Sequence, residues 1–187
     1  MLDCAKLTER AIQEIMLSTP TINELCSDEE LRDCVALLRT SFGTVAREFG
    51  LTEESAPTNA AFATLENLRR HLQNGMKLYG MAFDSSLIGC VATKRSKKDE
   101  LVFYIERLAV IPEKRKHGYG GQLLSFALEQ ILRDGGATAS IGLMDNNDRL
   151  KKWYISKGFV QHDRRRVEHL AFKVCFMSMD IKKGDLI

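Results

Sequence analysis

The 187-residue sequence predicts an α/β (α+β) fold in which helices cover a mixed β-sheet. Two observations carry this prediction. Strand-like segments rich in β-branched and aromatic residues alternate with amphipathic segments of helical period, in the order β-α-α-β-β-β-α-β-α-β-β. Residues 101–132 also join a strand, a basic glycine-rich turn and a helix without interruption. Because no repeat, low-complexity tract or linker divides the chain, we expect a single domain over residues 20–187.

The chain begins with a segment of weak helical character. Residues 1–19 are interpreted as an amino-terminal extension that packs on the domain or on a partner. A short strand is predicted over residues 20–26. Ser27 and Glu30 then form a capping box, since a serine N-cap followed three residues later by glutamate satisfies two free backbone donors. The apolar positions that follow predict a long amphipathic helix that ends near Gly50.

A loop, a second helix and a β-hairpin are predicted next. Residues 51–59 indicate a loop. The second helix has inward positions that start at Phe62, and Asn74-Gly75 ends it. Asp84, Ser85 and Ser86 provide a hairpin turn, because short polar residues favour tight turns. The two strands of this hairpin are predicted over residues 77–83 and 87–93.

The central stretch contains the most informative pattern. An apolar strand over residues 101–111 stops at Pro112, which lacks a backbone donor. From Gly118 onward the apolar positions recur at helical spacing and predict a helix that ends at residues 134–136. Four basic residues and three glycines lie between the strand and the helix: Lys114, Arg115, Lys116 and His117, then Gly118, Gly120 and Gly121.

The glycine loop, defined as residues 115–121, has two interpretations. The first turn of a helix leaves backbone N–H groups without intrahelical partners, and the helix dipole favours negative charge there. Glycines let the backbone approach a ligand, so the loop is suited to bind a phosphate or a pyrophosphate. Alternatively, the glycines serve a tight strand-to-helix turn and the lysines are solvated. The glycine pattern alone supports the two interpretations equally.

Four more elements complete the predicted order. A strand over residues 137–144 is followed by a polar turn at residues 145–147, which is able to cap a short helix. That helix carries Trp153 and Tyr154 and closes at Gly158, because glycine is suited to the left-handed exit of a helix. The last two strands are predicted near residues 159–165 and 170–181.

Composition and charge exclude several classes of protein. The formal net charge of +2 is too small for a dedicated nucleic-acid binder. The five cysteines are odd in number and widely spaced, which fits neither a disulfide framework nor a Cys-x-x-Cys metal site. The sequence contains no hydrophobic signal core and no apolar run of membrane-spanning length. We therefore expect a cytoplasmic protein that binds no metal, no nucleic acid and no membrane.

Three patterns follow one another in a fixed order along the chain. They are the segment Glu106-Arg-Leu-Ala-Val-Ile-Pro-Glu, the loop Arg115-x-x-Gly118-x-Gly120, and a later helix with Asn147, Tyr154 and Gly158-Phe159. Together they resemble the GNAT superfamily of N-acetyltransferases over about residues 20–181. The resemblance implies a mixed, mostly antiparallel sheet flanked by helices. It also implies an acetyl-CoA-dependent N-acetyltransferase in which the acceptor amine attacks directly in a ternary complex.

The resemblance implies two catalytic residues. An unperturbed alkyl amine has a pKa near 10.4, so its neutral form costs about 4.6 kcal/mol at pH 7. Glu106 resembles the general base that lowers this cost, and the alternative is a strand carboxylate paired with a basic neighbour. Tyr154 resembles the general acid that protonates the departing CoA sulfur. Alternatively, Tyr154 is a structural aromatic residue that packs beside Trp153. A rotated helix would instead place Trp153 inward and Tyr154 outward.

The resemblance also implies an acetyl-CoA site. The backbone of the glycine loop is expected to bind the pyrophosphate, and the backbone of β-strand residues before it to pair with the pantetheine arm. The side chains of Lys114, Arg115 and Lys116 either reach the 3′-phosphate or lie in solvent. Leu150 departs from the alanine that the family often has there. The predicted cofactor-binding residues are Leu108, Ala109, Val110, Arg115, Lys116, His117, Gly118, Tyr119, Gly120, Gly121 and Asn147, the last of which helix capping explains almost as well.

The acceptor is expected to be the primary amine of a small molecule, with a protein or peptide amine as the alternative. The chain is expected to act either as a monomer or as a homodimer. A non-catalytic acyl-CoA-binding module is a rival function. An ATP-binding loop is disfavoured, because no lysine followed by serine or threonine comes after the glycines. The candidate acceptor contacts, each of which simple solvation also explains, are Glu53, Glu54, His162, Arg164, Arg165, Arg166 and His169.

Overall fold

The computed structural model describes residues 19–168 and 170–181. Within these ranges the chain forms one seven-stranded sheet and four α-helices in the predicted order. The strands are β1 (Thr21–Glu24), β2 (Met76–Phe83), β3 (Ser86–Arg95), β4 (Val102–Val110), β5 (Thr138–Met144), β6 (Val160–Arg166) and β7 (Lys173–Asp180). The helices are α1 (Asp28–Glu48), α2 (Leu65–Gln73), α3 (Tyr119–Arg133) and α4 (Asp148–Ser156). Short 3₁₀ turns lie at Ala60–Phe62 and Pro112–Lys114.

The strand order in the sheet is β1-β2-β3-β4-β5-β7-β6, and every neighbouring pair is antiparallel except β4 and β5. Those two central strands are parallel and pair over only three residues, from Val102–Thr138 to Tyr104–Ser140. Beyond this point β4 continues beside β3, and β5 continues beside β7. The two strands therefore leave an opening between residues 105–110 and residues 141–144, which we call the β4–β5 gap.

Helices cover both faces of the sheet, as the alternation of strand and helix patterns predicted. Helices α3 and α4 pack on one face, where the buried residues include Tyr79, Val91, Ile105, Leu123, Leu124, Ile131, Ile141, Tyr154 and Met177. Helices α1 and α2 pack on the other face, where the buried residues include Cys34, Leu38, Leu68, Leu78, Cys90, Ala92 and Ala109. The fold class is thus confirmed.

The predicted capping box is present at the start of α1. The Glu30 backbone N–H donates to Ser27 Oγ at 3.3 Å, and the Ser27 backbone N–H donates to Glu30 Oε2 at 2.8 Å. The predicted start of the second helix is wrong by three residues. Phe62 belongs to the 3₁₀ turn, and α2 begins at Leu65, because the Asn67 backbone N–H donates to Thr64 Oγ1 and makes Thr64 the N-cap.

The two ends of the prediction differ in outcome. The last strand begins at Lys173 instead of residue 170, because a backbone hydrogen bond from Leu170 to Val167 forms a turn there. The predicted amino-terminal extension falls on residues 1–18, outside the described ranges, apart from Thr19. None of the helices within the described ranges combines the length and apolar character that a bilayer crossing requires.

Candidate active site

The β4–β5 gap is bordered by Glu106, which lies two residues beyond the last parallel pair of β4. Ala92 of β3 pairs with Glu106, whereas Cys90 pairs with Ala109, so one β3 residue faces two residues of β4. These two residues, Arg107 and Leu108, form a β-bulge, and Arg107 has a φ of 53°. We call them the β4 bulge. Because an extra residue in one strand reverses its alternation, the bulge keeps Glu106 and Ala109 on the same face of the sheet.

The carboxylate of Glu106 is half-buried and held by its neighbour. Arg107 Nη1 donates to Glu106 Oε2 at 2.9 Å, and the two side chains are 13% and 35% exposed. Glu106 Oε1 has no hydrogen-bond partner within residues 19–168 and 170–181. His71 of α2 is half-buried nearby, and burial, followed by the positive charge of Arg107, lowers the pKa of its imidazole. A neutral imidazole and an ionic pair therefore lie together on the α1–α2 face.

The glycine loop begins after the Pro112–Lys114 turn and leads into α3. Lys116 and Gly118 have φ values of 66° and 85°, which turn successive peptide groups toward the same side. Within the described chain, five consecutive N–H groups have no acceptor, those of residues 116–120. They lie at the N-terminus of a fifteen-residue helix, where the dipole adds attraction for an anion.

The Arg115 side chain occupies neither of the two places that the sequence suggested. Its Nη2 donates to the Ser41 carbonyl oxygen at 2.7 Å, its Nη1 to Thr44 Oγ1 at 3.0 Å, and its Nε to the Val110 carbonyl oxygen at 3.2 Å. Burial, followed by the charge of Arg149, lowers the pKa of this guanidinium. Arg115 thus ties the glycine loop to α1 and to the end of β4, instead of reaching a phosphate or solvent.

The other basic side chains of the stretch differ in their surroundings. Lys114 Nζ lies 5.1 Å from the centre of the Phe83 ring, in a cation–π contact. Lys116 is exposed. His117 Nδ1 donates to the Arg115 carbonyl oxygen at 2.8 Å, and its ring stacks on Tyr119 with centroids 6.1 Å apart. Only Lys116 is free to reach toward a phosphate without breaking a described contact.

Helix α4 places Tyr154 inward and Trp153 at the edge. Asn147 caps the helix, because the Leu150 backbone N–H donates to its Oδ1 at 3.1 Å. Tyr154 is 7% exposed, and its ring meets those of Trp153 and Phe159 edge-on, with centroids 4.8 and 5.3 Å away. The alternative orientation, with Trp153 inward, is therefore wrong. Burial raises the pKa of the Tyr154 phenol, so it stays protonated at neutral pH.

Glu106 and Tyr154 lie on opposite faces of the sheet. Glu106 pairs with Ala92, whose side chain belongs to the α1–α2 core, and paired residues share a face. Tyr154 belongs to the core between the sheet and α3 with α4. A ligand in the β4–β5 gap would therefore be accessible to a base from one face and to an acid from the other. This arrangement suits chemistry in which one proton leaves and another is delivered.

Two residues that sequence reasoning did not select as site residues, one in α4 and one just after it, lie against the glycine loop. Trp153 Cζ2 is 3.8 Å from the position that a Cβ on Gly120 would take, and Lys157 Nζ is 3.6 Å from that position on Gly121. A groove of about 680 Å³ opens beside them, between α3, the end of α4 and the end of β7. The spacing of Trp153 and Lys157 was a usable signal, since residues four apart share one helix face.

The candidate acceptor contacts are dispersed. Glu53, Glu54 and His162 are exposed, and His169 lies outside the described residues. The basic run Arg164-Arg165-Arg166 lies at the end of β6. Two of its side chains are paired: Arg164 with Asp145 and Arg165 with Asp163, each at 3.2 Å. The Ala171 backbone N–H donates to the Ser55 carbonyl oxygen at 3.1 Å, which joins the β6–β7 loop to the loop before α2.

Comparison with known proteins places this geometry in a family. Residues 47–182 match the family model of the acetyltransferase (GNAT) domain. The ribosomal-protein-S18-alanine N-acetyltransferase from Escherichia coli has 14% identity and a TM-score of 0.68, covering 89% of this chain and 96% of its own. PaiA N-acetyltransferase from Thermoplasma acidophilum, in complex with coenzyme A, has 20% identity and a TM-score of 0.67, covering 87% and 99%. A GNAT family acetyltransferase from Elizabethkingia anophelis with acetyl-CoA bound has 17% identity and a TM-score of 0.59, covering 86% and 97%.

Proposed function

The chain belongs to the GNAT family of acetyltransferases, and from this premise we propose that it transfers an acetyl group from acetyl-CoA to a primary amine by direct attack in a ternary complex. The observation that carries the proposal is the position of five free N–H groups at the start of α3, beside a gap with a carboxylate on one face and a phenol on the other. Such a layout fits one extended ligand with an anionic end and a reactive end.

The glycine loop would bind the pyrophosphate through the N–H groups of residues 116–120. From the second residue of the bulge onward, the β4 edge that faces the gap, residues 108–110, would pair with the amides of the pantetheine arm in the manner of an added strand. Lys157, with its Nζ close to Gly121, is the better candidate for the 3′-phosphate than Arg115, which is bound to α1. Asn147 acts by capping α4 and so by holding Tyr154 in place.

Acetyl-CoA supplies an activated thioester carbonyl, and the protein supplies two proton-transfer groups. Glu106 accepts a proton from the acceptor amine, directly or through water, as its nitrogen attacks the carbonyl carbon. Tyr154 donates its phenolic proton to the sulfur as the C–S bond breaks, and bulk solvent restores that proton. The raised pKa of the buried phenol keeps this proton in place before the reaction. No covalent bond to the enzyme is required.

A small-molecule amine is the acceptor class that we favour. The hydrogen bond between Ala171 and Ser55 joins the β6–β7 loop to the loop between α1 and α2. In this proposal the two loops border the acceptor site, and their connection limits the size of what reaches the Glu106 carboxylate. A peptide amine is the alternative, and it is distinguished by the assay below.

The test measures release of free thiol from acetyl-CoA with four acceptors: spermidine, lysine, kanamycin and a peptide with a free alanine amino terminus. Acceptor-dependent release with any of the first three supports the proposal, and release with the peptide alone favours the alternative. In a parallel thermal-shift measurement, CoA at about 100 times its dissociation constant adds about 2.7 kcal/mol, or several degrees. Stabilisation by ATP but not by CoA would contradict the proposal.

We also propose a reducing, cytosolic location. The four cysteines within the described residues are free thiols, and three of them are buried: Cys34, Cys90 and Cys175. Free buried thiols are typical of proteins that form no disulfide framework. Labelling of the intact folded protein with a thiol reagent checks this arrangement, since Cys26 is the exposed thiol of the four and should react first.

A further inference from the structure

Arg107 occupies an unusual position for a charged residue. It has a φ of 53°, a left-handed conformation that costs a non-glycine residue free energy relative to an extended strand. Its side chain is only 13% exposed, and its Nε is buried without a hydrogen-bond partner in the described chain. Strained backbone and incompletely satisfied polar groups concentrate at functional sites. The strained backbone and the unpaired Nε of Arg107 therefore indicate a functional role for this residue in the β4 bulge.

The bulge creates a contact that a regular strand cannot make. Successive side chains of a strand point to opposite faces, so Glu106 and Arg107 should face away from each other. Because Arg107 is left-handed, its guanidinium instead lies on the Glu106 side, where Nη1 donates to Glu106 Oε2 at 2.9 Å. Cross-strand contacts hold both ends of Arg107: its carbonyl oxygen accepts from Cys90 Sγ at 3.4 Å, and Nη1 also lies 3.3 Å from Met76 Sδ.

The geometry points to Arg107 as the positioning residue for Glu106, an inference that rests on the proposed function. Arg107 binds Oε2 and fixes the rotation of the carboxylate, while Oε1 keeps its lone pairs free for the acceptor amine or a water molecule. Arg107 does not touch the ligand. It acts through Glu106 by restricting that side chain to the orientation in which proton acceptance is productive.

The test is a double-mutant cycle built from Arg107→Gln and Glu106→Gln. Turnover is measured as thiol release from acetyl-CoA, with the most active of the four acceptors named above. Arg107→Gln should lower kcat by about 10- to 100-fold, because a misplaced catalytic group costs that order of rate, and should leave KM for acetyl-CoA within about twofold. In the Glu106→Gln background the same change should have almost no effect, because no carboxylate remains to be positioned.

Two further variants separate positioning from folding. Arg107→Lys keeps the charge but offers no planar fork, so its kcat should fall between those of the wild type and Arg107→Gln. Arg95→Gln is the control, since the guanidinium of Arg95 on β3 likewise makes two described hydrogen bonds, but to the backbone carbonyl oxygens of Glu100 and Asp134 and not to Glu106. It should lower the melting temperature and leave kcat unchanged.

The outcomes separate this inference from the function on which it rests. If none of the four acceptors produces thiol release with the wild type, the proposed function fails before Arg107 is tested. If the wild type is active but Arg107→Gln is as active, or loses the same factor with and without the Glu106 carboxylate, the positioning role is wrong and the acetyltransferase function stands. A loss confined to the background that keeps Glu106 supports the inference.

Discussion

The glycine loop and the β4 bulge are neighbours along the chain, but they present functional groups by different means. The loop offers five backbone N–H groups, and the bulge holds one oxygen of the neighbouring Glu106 carboxylate through a guanidinium and leaves the other oxygen free within the described residues. Both depend on left-handed backbone, at Gly118 and Lys116 in the loop and at Arg107 in the bulge. The loop is therefore sensitive to backbone conformation alone, whereas the bulge is sensitive to both conformation and side-chain chemistry.

This difference suggests that the glycine loop binds the ligand and that the side chains at the β4–β5 gap carry out the chemistry. A backbone cradle binds any suitably placed anion and does not distinguish the reacting group at the other end. In the proposed reaction, the side chains at the gap act only on the atoms whose bonds form or break. Changes in the loop should therefore alter affinity for CoA, and changes at the gap should alter turnover.

The largest expected effect is at Tyr154. Tyr154→Phe removes the proposed proton donor but keeps the ring contacts with Trp153 and Phe159. Turnover should fall by about 10²- to 10⁴-fold, the usual contribution of a general acid, while the dissociation constant of CoA stays within about twofold. Stopped-flow or plate-reader thiol release gives kcat, and calorimetry gives affinity.

A matched control is available on β2. Tyr79→Phe removes a hydroxyl from another buried tyrosine, one that packs edge-on against Phe126. It should leave turnover unchanged, since β3 lies between β2 and β4 and separates Tyr79 from the β4–β5 gap. Equal losses in the two variants, or no loss at Tyr154, would show that the phenol is not the proton donor.

The next effect concerns the loop. Gly118 has a φ of 85°, and a Cβ there would meet no atom within 4 Å, so Gly118→Ala introduces conformational strain without a clash. The strain is about 1–2 kcal/mol. Since the N–H groups are presented only in this conformation, affinity for CoA should fall about tenfold, with kcat little changed.

Gly50→Ala is the control for the loop variant. Gly50 also has a positive φ, of 62°, and open space around its Cα, but it lies after α1 and away from the glycine loop. Both alanine variants should lose similar thermal stability. If Gly50→Ala weakens CoA binding as much as Gly118→Ala does, the effect is global destabilisation and the contrast between loop and bulge disappears.

The sequence predicted the loop better than the bulge for a physical reason. Of the two left-handed residues in the loop, Gly118 lies in the visible pattern Gly118-x-Gly120, whereas Lys116 gives no signal of its conformation. At the bulge the left-handed residue is an arginine, and nothing in its identity signals the conformation. The register shift arises from pairing between β3 and β4, a tertiary effect. Family, fold class and enzyme class were predicted and are confirmed, whereas the roles of the site residues stay predictions.

Arg115 and Lys157 show the same limit. The motif left the Arg115 side chain either at the 3′-phosphate or in solvent, but its donors are used by Ser41 and Thr44 of a helix about 70 residues earlier in the chain. The sequence does not mark Lys157 as a ligand contact, because a lone lysine at the end of a short helix is usually solvated. Its proximity to Gly121 comes from the way α4 packs beside α3. The four-residue spacing of Trp153 and Lys157 indicates that they share one side of the helix, but local spacing does not indicate which element that side contacts.

Lys157 gives a smaller test of the ligand-binding end. Lys157→Gln should weaken CoA binding by about two- to fivefold, because an exposed charge pair contributes about 0.2–1 kcal/mol. The loss should vanish with dephospho-CoA, which lacks the 3′-phosphate, and should shrink at high salt. Lys152→Gln is the control, since Lys152 is exposed on the same helix without a described contact to the glycine loop. An equal loss of affinity for CoA and for dephospho-CoA would show that Lys157 does not bind the 3′-phosphate.

The smallest expected effect is a pH dependence of stability at His71, beside the β4 bulge. The ordinary pKa of histidine is 6.5, and the folded value is lowered by burial first and then by the charge of Arg107, which outweigh the opposite effect of Glu106. Lys94 and Arg70 lower it further. The unfolded chain therefore binds more protons at His71 than the folded chain as the pH falls below 6.5, so this contribution to stability is present above pH 6.5 and is lost below it.

His71→Gln should remove that loss and flatten the melting temperature between pH 7 and pH 5, relative to the wild type. His162→Gln, at an exposed position on β6, is the control and should leave the wild-type slope in place. The comparison also separates the two regions, because the glycine loop has its own histidine, His117, at an exposed position. Suppose that His117→Gln flattens the pH dependence of the melting temperature and His71→Gln does not. The group whose protonation destabilises the fold then lies in the glycine loop, and the β4 bulge is less tightly buried than its contacts indicate.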